Sequence, residues 1–136
     1  MKGALGLFIF ALALAPTGAR AACDGPHLAV KSVSLKSVGQ TRHLHFYHVA
    51  ATVTNDGNQA QPGNALTFVD VVLLGTRLDD RGIPPLAPGQ SYTVSYTWPR
   101  SADAGDGTTP LDFRLRFIAP SSPENCTLNQ SAGIWV

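Results

Sequence analysis

The sequence predicts an all-β protein, folded as a two-sheet antiparallel β-sandwich of about seven strands. Short segments in which apolar and polar residues alternate with a period of two recur along the chain. Gly, Pro, Asn and Asp residues separate these segments at regular intervals. Apart from the N-terminal segment, no stretch carries a sustained helical periodicity. Regularly spaced short strands with turn residues between them are typical of a sandwich.

The first two strands each show a change of pattern. We expect the first strand to begin at Leu28 and to end at Gly39-Gln40, with a bulge near Ser32, where the apolar positions change parity. The second strand is expected from about His43 to Thr54. Its apolar positions change parity near Tyr47, which predicts either a second bulge there or partial cover of both faces.

The same alternation predicts the remaining strands. We expect strands at Leu66–Leu74, Ser91–Trp98 and Leu111–Phe117, a short edge strand within Gly75–Pro85, a last short strand near Cys126–Leu128, and a further pairing of Gly133–Val136. Two strands alternate most regularly, and their apolar faces are expected to form core; these faces are Tyr92, Val94, Tyr96 and Trp98, and Leu111, Phe113, Leu115 and Phe117.

The first 21 residues predict a cleaved secretory signal peptide, followed by one domain over residues 22–136. Lys2 precedes an apolar run, Ala4–Ala15, and Ala19-Arg20-Ala21 suits signal peptidase cleavage. The run is too short to span a bilayer, and no later segment is apolar enough to do so. We therefore expect a periplasmic or secreted protein without an integral membrane segment after cleavage.

The charge balance is nearly neutral. The chain has ten Lys and Arg residues against nine Asp and Glu residues. Lys2 and Arg20 leave with the signal, so eight basic residues then face nine acidic ones. Nucleic acid and anionic lipid require clustered Lys and Arg, so the composition predicts neither as a partner.

Two cysteines, Cys23 and Cys126, are expected to form a disulfide. An even pair of cysteines in an exported protein is typical of a structural disulfide. The bond requires the first and last strands to lie side by side or to face each other. The alternative, a lipid on Cys23, needs a lipobox, and Arg20-Ala21-Ala22 is a poor match to one.

Three short segments carry a resemblance to a known family. They are the strand and turn Thr52–Asn58, the turn Leu86–Gln90 with Pro88-Gly89 at its centre, and the strand Val94–Trp98. In this order and spacing, residues from about Leu28 to Phe117 resemble the CARDB family, the cell-adhesion-related domains found in bacteria. The resemblance implies an immunoglobulin-like seven-stranded sandwich with a non-catalytic, extracytoplasmic role. The chain departs from the family pattern at His27-Leu28 and at its closing segment.

The candidate site residues are few. His43 and His45 are two apart on a strand, so their side chains point to the same side, a spacing that chelates Zn²⁺ or Cu²⁺. The competing interpretation is a solvated strand end, and no third ligand is evident. Asp103 and Asp106 are expected in a solvated turn, because their spacing lacks the alternating oxygen ligands of a calcium loop. No catalytic spacing is present, so we expect no enzyme, no catalytic residues and no cofactor.

Three functional hypotheses follow. The first is an exported, non-catalytic binding or adhesion-type module, which contacts an unknown protein or cell-surface partner through an edge strand or loops, with Gly75–Pro85 as the first candidate. The second is a small periplasmic metal-binding protein that uses His43 and His45. The third is an inhibitor or chaperone that acts by strand addition.

Overall fold

The structure, a computed structural model, describes residues 24–119 and 130–136, and these form seven β-strands in two antiparallel sheets. The strands are β1 (Leu28–Gln40), β2 (Leu44–Asn55), β3 (Leu66–Leu73), β4 (Thr76–Ile83), β5 (Ser91–Ser101), β6 (Pro110–Ala119) and β7 (Ser131–Trp135). The all-β sandwich prediction is confirmed. The predicted signal peptide, both cysteines and the predicted strand near Cys126–Leu128 lie outside the described residues. In the described ranges, no helix has the length and apolar character needed to cross a bilayer.

The two sheets divide the strands three to four. Sheet A has the order β1-β2-β5, and sheet B has the order β4-β3-β6-β7. The connection from β4 to β5 passes from sheet B to sheet A. Strands β1 and β7, which belong to different sheets, contact each other.

The core lies between the sheets and is mostly aliphatic. The fully buried apolar side chains include Leu28, Val49, Ala51, Val53, Val69, Val71, Leu86, Leu111 and Phe113. Val49, Ala51 and Val53 alternate along β2, and Val69 and Val71 alternate along β3, as a pleated strand requires. Phe113 is the largest of them, and Leu115 and Phe117 continue its face with partial burial. The predicted inward face of β6 is therefore confirmed.

The predicted inward face of β5 also packs on the core, except at its first residue. Val94 is buried, and Tyr96 and Trp98 pack against the buried cluster. Tyr92 remains 41% exposed near the beginning of the strand. The strand continues through Pro99 to Ser101, beyond the end expected at Trp98. Pro99 is tolerated there because β5 is an edge strand.

The predicted bulge near Ser32 is confirmed, but the parity change of β2 has another explanation. The register of β1 against β2 shifts between Val30 and Ser32. β2 pairs with β5 without any shift, and a second shift of β1 against β2 lies opposite Phe46 and Tyr47. The extra residue there is Val38 on β1, so β2 itself has no bulge at Tyr47. Phe46 and Tyr47 are both half-buried on opposite faces, which is the alternative of partial cover on both sides.

One end of the sandwich is closed by the side chain of Asn55, which is fully buried. Its Oδ1 accepts the backbone N–H groups of His27 (3.0 Å) and Gly57 (2.9 Å). Its Nδ2 donates to the carbonyls of Gln59 (2.9 Å) and Leu86 (3.0 Å). A buried amide satisfied at every position fixes the strand ends that it joins. The segments that carry the family resemblance thus serve to close the fold.

Candidate interaction site

The opposite end of the sandwich carries the turn between β3 and β4, formed by Leu74 and Gly75. Their φ angles are 47° and 84°, and Leu73 pairs with Thr76 across the turn. Two central residues with positive φ form a type I′ turn, which favours Asn-Gly. A leucine in this conformation costs roughly 1 kcal/mol or more. Leu74 is nevertheless 82% exposed, so it gains no burial within the domain.

The strand that follows this turn, β4, has a free edge protected by charge. Arg77, Asp79, Asp80 and Arg81 lie along it. The register against β3 shifts between Val71 and Val72, and Leu78 is the extra residue on β4. Charged side chains and a bulge discourage uncontrolled pairing with other chains. The expected edge strand within Gly75–Pro85 is confirmed, and its chemistry favours selective contacts through side chains.

Arg116 fastens β4 to the rest of sheet B. Its guanidinium donates twice to Asp70, at 2.8 and 3.0 Å, and once to Asp80 on β4, at 3.0 Å. The guanidinium carbon also lies 4.8 Å from the ring centroid of Phe68. The hydrogen bond to Asp70, followed by its negative charge, raises the pKa of Arg116 above the ordinary value. Because the Arg116 guanidinium binds one carboxylate on β3 and one on β4, it anchors the β3–β4 hairpin on the outer face of sheet B.

A second set of side-chain contacts, made by Arg100, holds the loop from Ala102 to Thr109. This loop lies at the same end of the sandwich as Leu74. Arg100 is only 3% exposed, and its Nη2 lies 2.5 Å from the Asp106 carboxylate. Its Nη1 donates to the Gly105 carbonyl at 3.1 Å, and the guanidinium carbon lies 5.0 Å from the Tyr47 ring centroid. The hydrogen bond from Arg100, and then its positive charge, lowers the pKa of Asp106. The loop is therefore held against the sheet.

Two buried N–H groups near the Arg100–Asp106 ion pair have no hydrogen-bond partner. They are Nε1 of Trp98 and Nε of Arg100 itself. Both residues lie on the inner face of β5, where Trp98 pairs with Tyr47 and Arg100 pairs with His45. Unpaired buried donors are costly, so this corner is the least satisfied polar region among the described residues.

The two histidines that share a predicted strand face have different surroundings. His43 is exposed in the turn before β2, and His45 lies on the inner face of β2, with its Nδ1 3.3 Å from Nη2 of Arg100. A neighbouring guanidinium repels a metal cation. Among residues 24–119 and 130–136, no three His, Cys, Asp or Glu side chains come together to hold a metal ion.

Asp103 and Asp106 both lie exposed in turns after β5, as expected, and Asp106 has a partner that the sequence did not indicate. Although 86% exposed, the Asp106 side chain forms an ion pair with the buried Arg100. Sequence reasoning missed Arg100 and Leu74 as well. The only signal for Arg100 was its position two residues after Trp98, on the inward parity of β5. The only signal for Leu74 was the following Gly75 between two strand patterns.

Comparisons with known proteins agree with this architecture. The CARDB family model matches residues 25–113. The fold is similar to the crystal structure of the CARDB domain of a Pyrococcus furiosus protein in complex with di-metal ions. That match has a TM-score of 0.54 at 19% identity and covers 80% of this chain and 89% of that one. A solution NMR structure of the same Pyrococcus furiosus domain also has a TM-score of 0.54 at 19% identity, with 82% and 93% coverage. No match was found among curated protein sequences.

Proposed function

The chain belongs to the CARDB family, and on this premise we propose that it is an exported, non-catalytic, immunoglobulin-like module that binds a protein or cell-surface partner. The contact surface is the β3–β4 hairpin, with Leu74 at its tip and the charged edge of β4 beside it. The protein acts in the periplasm or outside the cell. Its partner is a macromolecule, because the surface combines an exposed hairpin tip with a charged strand edge.

The observation that carries this proposal is the conformation of Leu74. The positive φ of Leu74 is an unfavourable backbone conformation for a leucine. Its side chain is nevertheless 82% exposed. An asparagine would relieve the backbone at this position and would suit solvent better. A leucine that costs stability and is left largely exposed by its own domain fits a role as an apolar anchor for a partner.

The surroundings of Leu74 suit a docking surface. Arg116 holds β4 in place, so the hairpin presents its tip with little loss of conformational freedom on binding. Around the apolar tip, Arg77, Asp79 and Asp80 supply a polar rim of mixed charge. An apolar centre with a polar rim is the usual anatomy of a protein interface.

Export and the disulfide between Cys23 and Cys126 are part of the proposal. Strand β1 begins at the end of the sandwich closed by Asn55, since Leu28 pairs with Asn55. Strand β6 finishes at that same end, where Ala119 pairs with Leu66. The segments that bear the two cysteines therefore join the fold at one end, which supports a bond between them.

The test compares exported wild-type protein with a Leu74→Asn variant as bait for surface and periplasmic extracts. Leu66→Asn is the matched control, because Leu66 is 52% exposed at the other end of β3. We expect a specific partner to be retained by wild type and by Leu66→Asn and lost by Leu74→Asn. Equal capture by all three baits, or capture by none, contradicts the proposal.

No contact in the described residues favours the alternative of a metal site at His43 and His45. The two-metal complex is a property of the Pyrococcus furiosus domain. Calorimetric titration with Cu²⁺ and Zn²⁺ separates the two hypotheses. Stoichiometric binding that disappears in a His45→Ala variant would favour the metal alternative over the hairpin.

A further inference from the structure

Of the four outer strands in the described part of the fold, β5 has the most open edge. β1 carries two register shifts together with Lys31 and Lys36, and β4 carries four charged residues and a bulge. β7 has only five residues. β5 has eleven residues, keeps a single register with β2 and has no charged residue from Ser91 to Trp98. Long, regular and uncharged edges are those that pair with another chain.

The direction of the backbone groups on this edge follows from the hydrogen bonds at its two ends. Asn55 N–H donates to the Gln90 carbonyl, and Ala102 N–H donates to the His43 carbonyl. Residues of an antiparallel pair alternate between hydrogen-bonded and non-hydrogen-bonded positions. The backbone N–H and C=O groups of the even-numbered β5 residues therefore point toward β2. Ser91, Thr93, Ser95 and Thr97 direct their N–H and C=O groups to the open edge.

Two side-chain observations agree with this assignment. Nε of Arg81 donates to the Ser95 carbonyl at 3.2 Å, which places that carbonyl on the open side. Pro99 occupies an odd-numbered position, where its missing N–H faces the open edge and leaves the β2 ladder intact. The receptive part of the edge is consequently Ser91–Thr97.

This segment is symmetric about Val94. It reads Ser-Tyr-Thr-Val-Ser-Tyr-Thr, so that hydroxyl, tyrosine and hydroxyl residues follow Val94 in the same order in both directions. A two-fold axis relates identical surfaces, so an antiparallel pair of identical strands requires self-complementary residues. The segment meets this requirement without placing any like charges opposite each other.

We propose that β5 pairs with β5 of a second copy of this chain, antiparallel, with the two-fold axis at Val94. Thr93 then exchanges backbone hydrogen bonds with the partner's Ser95, and Ser91 with the partner's Thr97. Between them, Tyr92 lies beside the partner's Tyr96 in a non-hydrogen-bonded pair, where side chains approach most closely. The pairing covers Tyr92, which is 41% exposed in the single chain. After the expected signal cleavage eight basic residues face nine acidic ones, and this nearly neutral charge does not oppose self-association.

Arg81 competes with this pairing. Its hydrogen bond uses the Ser95 carbonyl that the partner's Thr93 requires. The Arg81 side chain is about half exposed and also pairs with Asp79, so it moves aside without losing every contact. The dimer is therefore weak, and an Arg81→Ala variant associates more tightly, by roughly two- to tenfold for the loss of one competing hydrogen bond.

The experiment measures self-association of the full exported protein by sedimentation at concentrations up to about 1 mM, where even weak pairing is detected. Two double variants test the register. Thr93→Lys/Ser95→Glu places opposite charges across the proposed pair, and Thr93→Lys/Ser95→Lys places like charges there. Both positions are exposed on the outer face, and both variants lose the same Thr52–Thr93 hydroxyl contact, so they are matched in folding.

We expect the Lys/Glu variant to dimerise at least about tenfold more tightly than the Lys/Lys variant at low salt, with the difference reduced by added salt. Hydrogen exchange supplies the second readout. Amide protection at Thr93, Ser95 and Thr97 rises with protein concentration, whereas protection at Val94 and Tyr96 is already present in the monomer. A monomeric wild type throughout the concentration range, equal association of the two variants, or protection that does not depend on concentration overturns the proposal.

Discussion

His45 and Arg100 are direct cross-strand partners on the inner face of sheet A, with 3.3 Å between Nδ1 of the imidazole and Nη2 of the guanidinium. The same guanidinium nitrogen binds Asp106, which belongs to the following loop. One buried cation therefore links a strand interior to a loop. The histidine, which the sequence offered as a metal ligand, is part of this linkage.

The first prediction concerns the acid sensitivity of this linkage. The hydrogen bond from Arg100 lowers the pKa of Asp106 below its ordinary value of 3.8. A carboxyl group with a depressed pKa in the folded state stabilises the fold above its unfolded pKa, and this contribution is lost as the pH falls through the folded value. Wild type should therefore exceed Asp106→Asn in stability by a constant amount above about pH 5. The difference should begin to shrink as the pH falls from about 5 toward 3.8, and it should keep shrinking as the pH falls further through the depressed pKa of the folded state.

Chemical denaturation of the two proteins across this pH range measures the difference. Asp103→Asn is the control, because Asp103 lies in the same loop and is exposed without an ion pair to Arg100. The stability of each variant is compared with that of wild type at every pH. A deficit of Asp103→Asn that is as large and as pH-dependent as that of Asp106→Asn would contradict the prediction.

The second prediction concerns Asn55. Asn55→Ala removes a buried amide that satisfies four backbone groups. Leaving these groups unpaired should cost about 2–4 kcal/mol in the free energy of unfolding. Urea denaturation measures it, with Asn58→Ala as the control, because Asn58 is exposed and makes fewer contacts. Similar losses for both variants would show that Asn55 has no special role in closing this end.

The third prediction separates stability from binding at the hairpin tip. Leu74→Asn should leave the free energy of unfolding unchanged or raise it by up to about 1 kcal/mol, since asparagine tolerates positive φ. Gly75→Ala should lower it by about 1 kcal/mol, because φ at this position is 84°. Thermal unfolding of both variants provides the measurement. A clear destabilisation by Leu74→Asn would mean that the leucine stabilises its own domain, against its proposed role.

The fourth prediction uses two glycines as a matched pair. A Cβ atom on Gly57 would collide with the backbone of Gly25, Pro26 and His27, whereas a Cβ on Gly63 would meet nothing within 4 Å. Gly57→Ala should therefore reduce the melting temperature strongly, and Gly63→Ala should leave it nearly unchanged or slightly raised. Equal melting temperatures would show that the N-terminal segment does not pack against Gly57 as described.

The fold could be predicted from the sequence because apolar and polar residues alternate along its strands. The inward faces of β5 and β6 could be read directly, since every second residue is apolar and the turns between strands contain Gly and Pro. The parity of β2 was harder to read. Two aromatic residues, Phe46 and Tyr47, are both half-buried on opposite faces, so periodicity alone could not indicate which face is interior.

The candidate site was less accessible, for a physical reason. Arg100 is buried through partners supplied by β2 and by a loop, and no local pattern encodes such distant contacts. Leu74 stands out only through its φ angle, because a leucine before a glycine is otherwise an unremarkable pair. The histidine pair was ambiguous for the same reason: spacing along a strand does not reveal the Arg100 side chain across from His45.

The closure at Asn55 lies at the end opposite Leu74, and this separation has a practical outcome. The hairpin tip is far from the Asn55 contacts that hold the strand ends together. Foreign peptides inserted between Leu74 and Gly75 should therefore leave the folded β-sandwich intact. The domain is thus suited to serve as a carrier on which new recognition loops are displayed, with the asparagine end acting as its fixed base.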